Sequence, residues 1–453
     1  MPTMPRDPAF DSTLYIPLEG YNFIWNRCRR LNSDVFATRV MGKKTICIHG
    51  PDAAALFYDE SKLARAHALP RRVVTTLFGK HAIHTLDDAE HKARKAAFLS
   101  LMSEESLERL MREMSSAWQR ALTRWPGQKR VVLMDEAQRV LAEAVCQWAG
   151  VPRSALRLHK RTKDLARMVD GFGGIGPRLW KAKLARTRSE LWIARLVHQV
   201  RSGKLQAPTD SALYVLSSYR DLKGDHLDLR TAAVEILNVL RPTVAIAWYV
   251  VFAALALHQH PGAREKILRE TTGQHAGSYT DAFMQEVRRF FPFTPYLGAR
   301  TRTSFTWKGY EFPRGALVLL DVYGTEHDPR VWANADQFRP ERFLDWSGGQ
   351  FDLIPQGGGS HQQGHRCPGE WLTMHSIALA LHYLTRCCVY NVVSGQDLTL
   401  DLRRMPTQPA SGFVLSDVRL TDALERPAPP VPSESATRGR PSPQPGPTVT
   451  ALH

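Results

Sequence analysis

Apolar residues return at helical spacing over most of the chain. From Ser103 to Thr123, SEESLERLMREMSSAWQRALT places apolar side chains three and four apart, the signature of a helix with one buried face. Ser103 reads as its N-cap, with Glu104 and Glu105 in the first turn, where the helix dipole favours acids. Comparable patterns predict helices over Asp135 to Ala149, Arg153 to Val169 and Lys181 to Val200. Strand-like alternation is sparse: Val35 to His49, then Thr301 to Leu320, where a Gly and a Pro-Arg-Gly turn interrupt it. The pattern predicts a mainly α fold decorated by small β-sheets.

The most apolar segment is also the oddest. Glu235 to Leu257 reads EILNVLRPTVAIAWYVVFAALAL, with Arg241 and Pro242 in its middle. A buried guanidinium without a partner costs several kcal/mol, roughly, and an interior proline about 3 kcal/mol. Thr243 to Leu257 falls short of the ~20 residues that cross a bilayer and is flanked by Arg241, so it is expected to be a core helix with no transmembrane role. Pro242 is expected to break the helix and leave the carbonyl of Asn238 unpaired.

From Glu425 the sequence changes to ERPAPPVPSESATRGRPSPQPGPTV. Such a Pro/Ser/Gly-rich stretch buries no core, so residues 1–424 are expected to form one catalytic domain and 425–453 a disordered tail. A polyproline ligand for a partner domain is the functional alternative for that tail.

Composition narrows the class. The 453 residues are 43% hydrophobic and 23% charged, ordinary for a globular protein with a sizeable core. Six cysteines (28, 47, 146, 367, 387 and 388) form no CxxC pair, which favours a reducing, cytoplasmic setting over a disulfide framework. The N-terminus has no charged-then-apolar signal. The net charge of +16 is spread over many segments without aromatic interleaving, so a solvated basic surface is expected and no nucleic-acid partner.

Candidate chemistry concentrates in Pro355 to Glu370, PQGGGSHQQGHRCPGE, where a Gly-rich loop leads through Cys367 into an apolar helical run. A thiolate at a helix N-terminus is stabilised by the dipole and by free backbone N–H groups. A zinc site from His361, His365 and Cys367 lacks a clear fourth ligand and has poor spacing. A phosphate loop would need a preceding strand and a following Lys-Ser/Thr. Haem iron held by one cysteine thiolate fits the loop–Cys–helix order.

Other segments agree with the haem reading in the right order. Glu286-Val287-Arg288-Arg289 has the form ExxR, Phe338 to Phe343 reads FRPERF, and the Gly-rich Cys-x-Gly follows. Together these resemble the cytochrome P-450 superfamily, from about residue 15 to 420. The resemblance implies that Glu286, Arg289 and Arg342 lock the proximal side, that Cys367 is the axial ligand of haem b (iron protoporphyrin IX), and that His365 contacts a haem propionate. The usual Phe-Gly-x-Gly lead-in is missing; Ser360 and His361 stand where its Phe and first Gly belong. With its Gly-Gly-Gly and longer turn, the loop is similar instead to bacterial fatty-acid peroxygenases and the related decarboxylases that form terminal alkenes. The stretch from 71 to 102 is similar to that subgroup throughout: His91 and Lys95 match propionate contacts, and Phe78 and His84 match residues facing the distal pocket. Phe172 and Phe293 are expected to line the acyl channel.

In oxygen-using members the distal helix carries an acid followed by an alcohol, which relay protons to dioxygen. Arg241 and Pro242 occupy those places here. An arginine binds a carboxylate bidentately, so a fatty acid's own carboxylate would sit beside the iron and replace the missing acid–base group. The resemblance then implies hydrogen-peroxide-driven oxidation of long-chain fatty acids at carbons 2 and 3, without a redox partner, giving hydroxy acids, terminal alkenes or both. His84 marks decarboxylating members, where hydroxylating ones tend to carry glutamine, and is expected to donate a proton at neutral pH. The alternatives are a dioxygen-dependent monooxygenase with a redox partner and a non-catalytic haem sensor.

Overall fold

The computed structural model describes residues 2–68, 70–270 and 278–425. The expected Pro-rich tail, apart from Glu425, lies outside the described residues.

The alternation at 35–49 folds as a hairpin, β1 (Val35–Val40) against β2 (Lys43–His49). With β3 (Leu63–Ala64), β5 (Tyr296–Thr301) and β8 (Leu317–Asp321) it makes a five-stranded sheet in the order β1-β2-β8-β5-β3. β2 and β8 pair in parallel, Ile46 beside Val318, and the other pairings are antiparallel. β4 (Val131–Val132), β9 (Cys388–Val392) and β10 (Val414–Leu420) form a second sheet, and β6 (Phe305–Trp307) with β7 (Tyr310–Phe312) a third.

Helices make the larger part. Ser103 caps the helix Glu104–Leu122 as expected, its side chain accepting the N–H of Ser106. The pattern at 135–149 is the helix Leu133–Trp148, and that at 181–200 is Pro177–Arg201. The stretch 153–169 differs from expectation. It folds as two helices, Arg153–Leu156 and Leu158–Asp170, because Arg157 between them turns left-handed at φ +35°.

The apolar run becomes the helix Leu229–Gln259, capped by Asp228, whose carboxylate accepts the N–H groups of Arg230 and Thr231 at 3.0 Å each. It packs against Leu133–Trp148, Leu158–Asp170, Pro177–Arg201 and the helix Glu370–His382. Among the described residues it alone is long and apolar enough to cross a membrane, and 94% of its most apolar window is buried within the protein. Pro242 does not break it: the helix runs through all 31 residues. Proline removes a single N–H, and close packing on every side holds the neighbouring turns. The Thr243 hydroxyl meanwhile donates to the carbonyl of Val239 at 2.9 Å.

Candidate active site

Arg241 is buried in the middle of that helix. Its Nη2 donates to Oδ1 of Asn238 at 3.1 Å, one turn earlier, while Nε has no partner among the described residues. Burial lowers its pKa to about 9 and the charge of Arg186 adds to this, against a pull from Cys367. A guanidinium this isolated is an anion site by its own energetics, since a carboxylate would supply the missing charge and acceptors. The ring of Phe78 lies beneath it, 5.5 Å from ring centroid to guanidinium carbon, and packs at 4.3 Å against His84 with the two rings tilted by 39°. The three residues that the resemblance placed distally are therefore together.

A buried polar chain fixes this group. Oε2 of Glu235 accepts from the Asn238 amide at 3.2 Å, and Oε1 accepts the backbone N–H of Ile83 at 2.9 Å and Nη1 of Arg94 at 2.6 Å. Glu235 thus ties Asn238, which holds Arg241, to the turn carrying His84. Arg186 performs the same service for Phe78, donating to the carbonyls of Leu77 and Phe78 at 3.0 and 3.1 Å and pairing with Glu190 at 2.7 Å. Gly79, at φ +93°, is required there, because a Cβ would sit 2.0 Å from Arg186 Nη2. Glu235, Arg94 and Arg186 were not singled out from the sequence, and Asn238 only for its backbone carbonyl. A glutamate and an asparagine within an apolar run were the available signal.

His84 departs from expectation in its charge. Burial, and then the positive charge of Arg241, hold its pKa well below 6.5. The ring is neutral at pH 7 and offers a hydrogen bond rather than the proton of an imidazolium.

Cys367 stands just ahead of the helix Glu370–His382, its N–H donating to the carbonyl of Gln356 at 3.0 Å. Burial raises the thiol's pKa, and a hydrogen bond from the backbone of Gly369 works the other way. Glu370 holds the loop through Arg288 at 2.5 Å and Arg366 at 2.7 Å, while Arg288 also reaches Gln356 at 3.1 Å. Gly357, at φ +101°, lets the loop pass the Tyr58 hydroxyl, which a Cβ would approach to 2.8 Å.

Glu286 and Arg289 form a fully buried bidentate pair at 2.7 and 2.8 Å. Arg342 closes on the same carboxylate at 3.1 Å, and Arg289 donates to the carbonyls of Glu326 and Ala335. The ExxR and PERF segments, distant in sequence, are one lock.

Basic and imidazole groups gather at a third edge. Lys95 donates to the carbonyls of Gly364, Arg366 and Gln363 at 2.6 to 3.2 Å, and His91 stacks at 3.8 Å on His365, whose Nε2 is 3.6 Å from Asp87. His91 and Lys95 are both buried, four residues apart on one helix. Arg65 joins them in burial with Nη1 unpaired, a residue the sequence did not reveal. Buried cations with no ion-pair partner among the described residues, beside a cysteine loop, fit the two carboxylates of a haem. The zinc alternative finds no support: the grouping within ligand reach among the described residues is Glu60, His91 and His365, which excludes Cys367 and His361.

The two channel aromatics lie apart from the Arg241 cluster. Phe293 packs on Tyr249 at 5.4 Å and Trp248 at 6.4 Å, two turns along the same helix. Phe172 joins the apolar group around Tyr296, Leu402 and Met405.

With this geometry, comparison with known proteins is informative. The family model for cytochrome P-450 matches residues 229–412. A mouse relative, cytochrome P-450 26C1, is 24% identical over 84% of this chain and 81% of its own length. Solved structures are nearer. P450EX alpha (CYP152N1), determined with myristic acid, is 40% identical at a TM-score of 0.88, covering 93% of this chain and 100% of that one. P450SP alpha (CYP152B1), in complex with (R)-ibuprophen, is 40% identical at 0.87, covering 90% and 99%. A variant of OleT, in complex with arachidonic acid, is 36% identical at 0.88, covering 93% and 99%.

Proposed function

Since the chain belongs to the cytochrome P-450 superfamily and is similar over its length to members solved with carboxylic acids, we propose that it is a fatty-acid peroxygenase. It uses hydrogen peroxide to oxidise long-chain fatty acids at carbons 2 and 3, yielding 2- or 3-hydroxy acids, terminal alkenes, or both. The observation that carries this reading is Arg241: a buried cation with an unpartnered Nε, set in a helix otherwise apolar around it.

The cofactor we assign is haem b: the Cys367 thiolate would hold its iron, and Arg65, His91, Lys95 and His365 would hold its propionates. Glu286, Arg289 and Arg342 hold the backbone beneath it. Once bound, the haem supplies an electron-rich iron at which the peroxide O–O bond is cleaved.

The chain's own part is positioning and charge. Arg241 binds the substrate carboxylate through charge-assisted hydrogen bonds and keeps it ionised. That carboxylate accepts a proton from peroxide and returns it to the departing oxygen, standing in for the absent acid–alcohol pair. Pro242 withholds an N–H and a hydroxyl at the second of those places. Phe78 supports the guanidinium and, with Phe293 and Phe172 further out, directs the acyl chain. Because the carboxyl end is pinned, only the first carbons reach the reacting centre. The same reading needs no obligatory redox partner, and the six cysteines without a CxxC pair support a cytoplasmic setting.

The test is purified holoenzyme with a long-chain fatty acid and hydrogen peroxide, products separated by gas chromatography–mass spectrometry. Hydroxy acids or terminal alkenes one carbon shorter are expected. Turnover only with NAD(P)H and a ferredoxin system would identify a monooxygenase instead, and haem binding without product a sensor.

A further inference from the structure

The helix Pro177–Arg201 holds the Phe78 turn through Arg186 on its inner face, and its outer face is unusual for a water-facing surface. Trp180 is 70% exposed, Leu184 57% and Leu191 56%, and Ile175 in the preceding turn is 64% exposed. At 3.6 residues per turn, Trp180, Leu184 and Leu191 fall within about 40° of one another, so they form a stripe rather than a scatter. Contiguous exposed apolar side chains of this size mark an interaction site.

Charge selects the partner. Lys181, Lys183 and Arg195 flank the stripe, exposed and in no ion pair among the described residues. The helix carries one acid, Glu190, which is buried between Arg186 and Arg230 at 2.7 and 2.8 Å. An apolar stripe with Trp at its start and cations along both sides is the chemistry of a helix lying in a bilayer interface. A second copy of this chain would oppose those cations with like charge, whereas anionic lipid headgroups neutralise them.

A further apolar feature borders the start of this helix. Arg178 donates to the carbonyl of Met405, and the same 402–405 loop receives the N–H of Tyr21, just beyond Leu18, which is 64% exposed.

We propose that this face docks the protein peripherally on an anionic phospholipid bilayer, laying the helix that holds the Phe78 turn beside Arg241 against the surface. Docking would serve uptake of the fatty acid inferred above. The binding assay uses neither substrate nor peroxide, so its failure and the failure of the peroxygenase reading are separate results.

The experiment is flotation of the holoenzyme with vesicles of phosphatidylcholine, alone or with about 30% phosphatidylglycerol. Association with the anionic vesicles, weakening as salt rises, is expected. W180S/L184S and K181E/K183E should each reduce it about tenfold or more, with unchanged haem spectra and unchanged turnover of fatty acid in vesicle-free solution. No flotation, or equal flotation of wild type and both variants, overturns the proposal. So does light scattering that finds a wild-type dimer and a W180S/L184S monomer, which would make the stripe a contact between copies.

Discussion

Nη1 of Arg94 donates to Oε1 of Glu235 at 2.6 Å, joining the helix Asp88–Ser100 to the first half of the Leu229–Gln259 helix. The glutamate is fully buried, and its second oxygen holds Asn238, the residue on which Arg241 rests. One ion pair therefore supports both the fold and the guanidinium proposed to bind substrate.

Replacing Glu235 with glutamine should separate those duties. Gln can still accept the Ile83 N–H, but Arg94 is left as an uncompensated buried charge, a loss of about 3 kcal/mol. A lower denaturation midpoint is expected, with KM for the fatty acid raised about tenfold and haem content retained. Adding Arg94→Gln should restore much of the stability but not KM. Recovery of both together would make the pair purely structural.

Glu286→Gln tests the proximal lock. Two arginines share this fully buried carboxylate, Arg289 itself fully buried and Arg342 partly exposed, so its neutralisation leaves both without a counter-charge, costing about 3 kcal/mol. Because Arg289 also holds the carbonyls of Glu326 and Ala335, the loop beneath the haem should loosen. Haem content per chain is the readout, and it should fall severalfold relative to wild type.

The sheet should confer alkaline sensitivity. His49 of β2 sits between Asp321 at 3.1 Å and Asp328 at 3.2 Å, all three buried. Burial alone would lower its pKa, but the two hydrogen-bonded carboxylates outweigh it and raise the value from 6.5 to about 9. A group with a raised folded-state pKa contributes its full stability below the unfolded value and loses it as pH rises through the folded one. The contribution, about 3 kcal/mol, should therefore fade between about pH 6.5 and 9. Thermal midpoints across that range should fall for wild type and stay flatter for His49→Gln.

His84→Gln should shift products from alkene toward hydroxy acid, following the residue choice that distinguishes the subgroup's decarboxylating and hydroxylating members. Since burial and Arg241 keep this ring neutral, its influence is exerted through a hydrogen bond. The wild-type alkene fraction should therefore change little between about pH 6 and 8, where an exposed histidine would titrate. A sigmoidal change centred near pH 6.5 would restore the imidazolium role.

Much of this arrangement was legible in the sequence, for identifiable reasons. The β1–β2 hairpin declared itself by alternation, and Cys367, Glu286 and Arg342 by motifs whose spacing is local. What escaped was burial and long-range pairing. His91 and Lys95, four apart on one helix, favour an exposed basic face when taken without the resemblance, and Arg65 carried no signal at all. The Arg94–Glu235 pair spans 141 residues, beyond any periodicity. Pro242 misled in the other direction, because a local rule about one lost hydrogen bond was outweighed by packing around the whole helix.

Arg241 itself offers the most discriminating comparison. Arg241→Ala removes the cation from a buried pocket where, among the described residues, its one hydrogen-bond acceptor is Asn238, so folding and haem binding should survive or improve. The fatty-acid carboxylate, however, loses its anchor, and kcat/KM with peroxide should fall about a hundredfold or more. Arg241→Lys keeps the charge without the planar fork, so intermediate activity with looser selection between carbons 2 and 3 is expected. A short carboxylic acid supplied with a non-acid substrate should support peroxide-dependent oxidation in wild type, because it can occupy the guanidinium and move the proton. It should do nothing for Arg241→Ala. Equal rescue of both proteins would show that the proton is handled elsewhere and that Arg241 merely balances the field of the Cys367 thiolate.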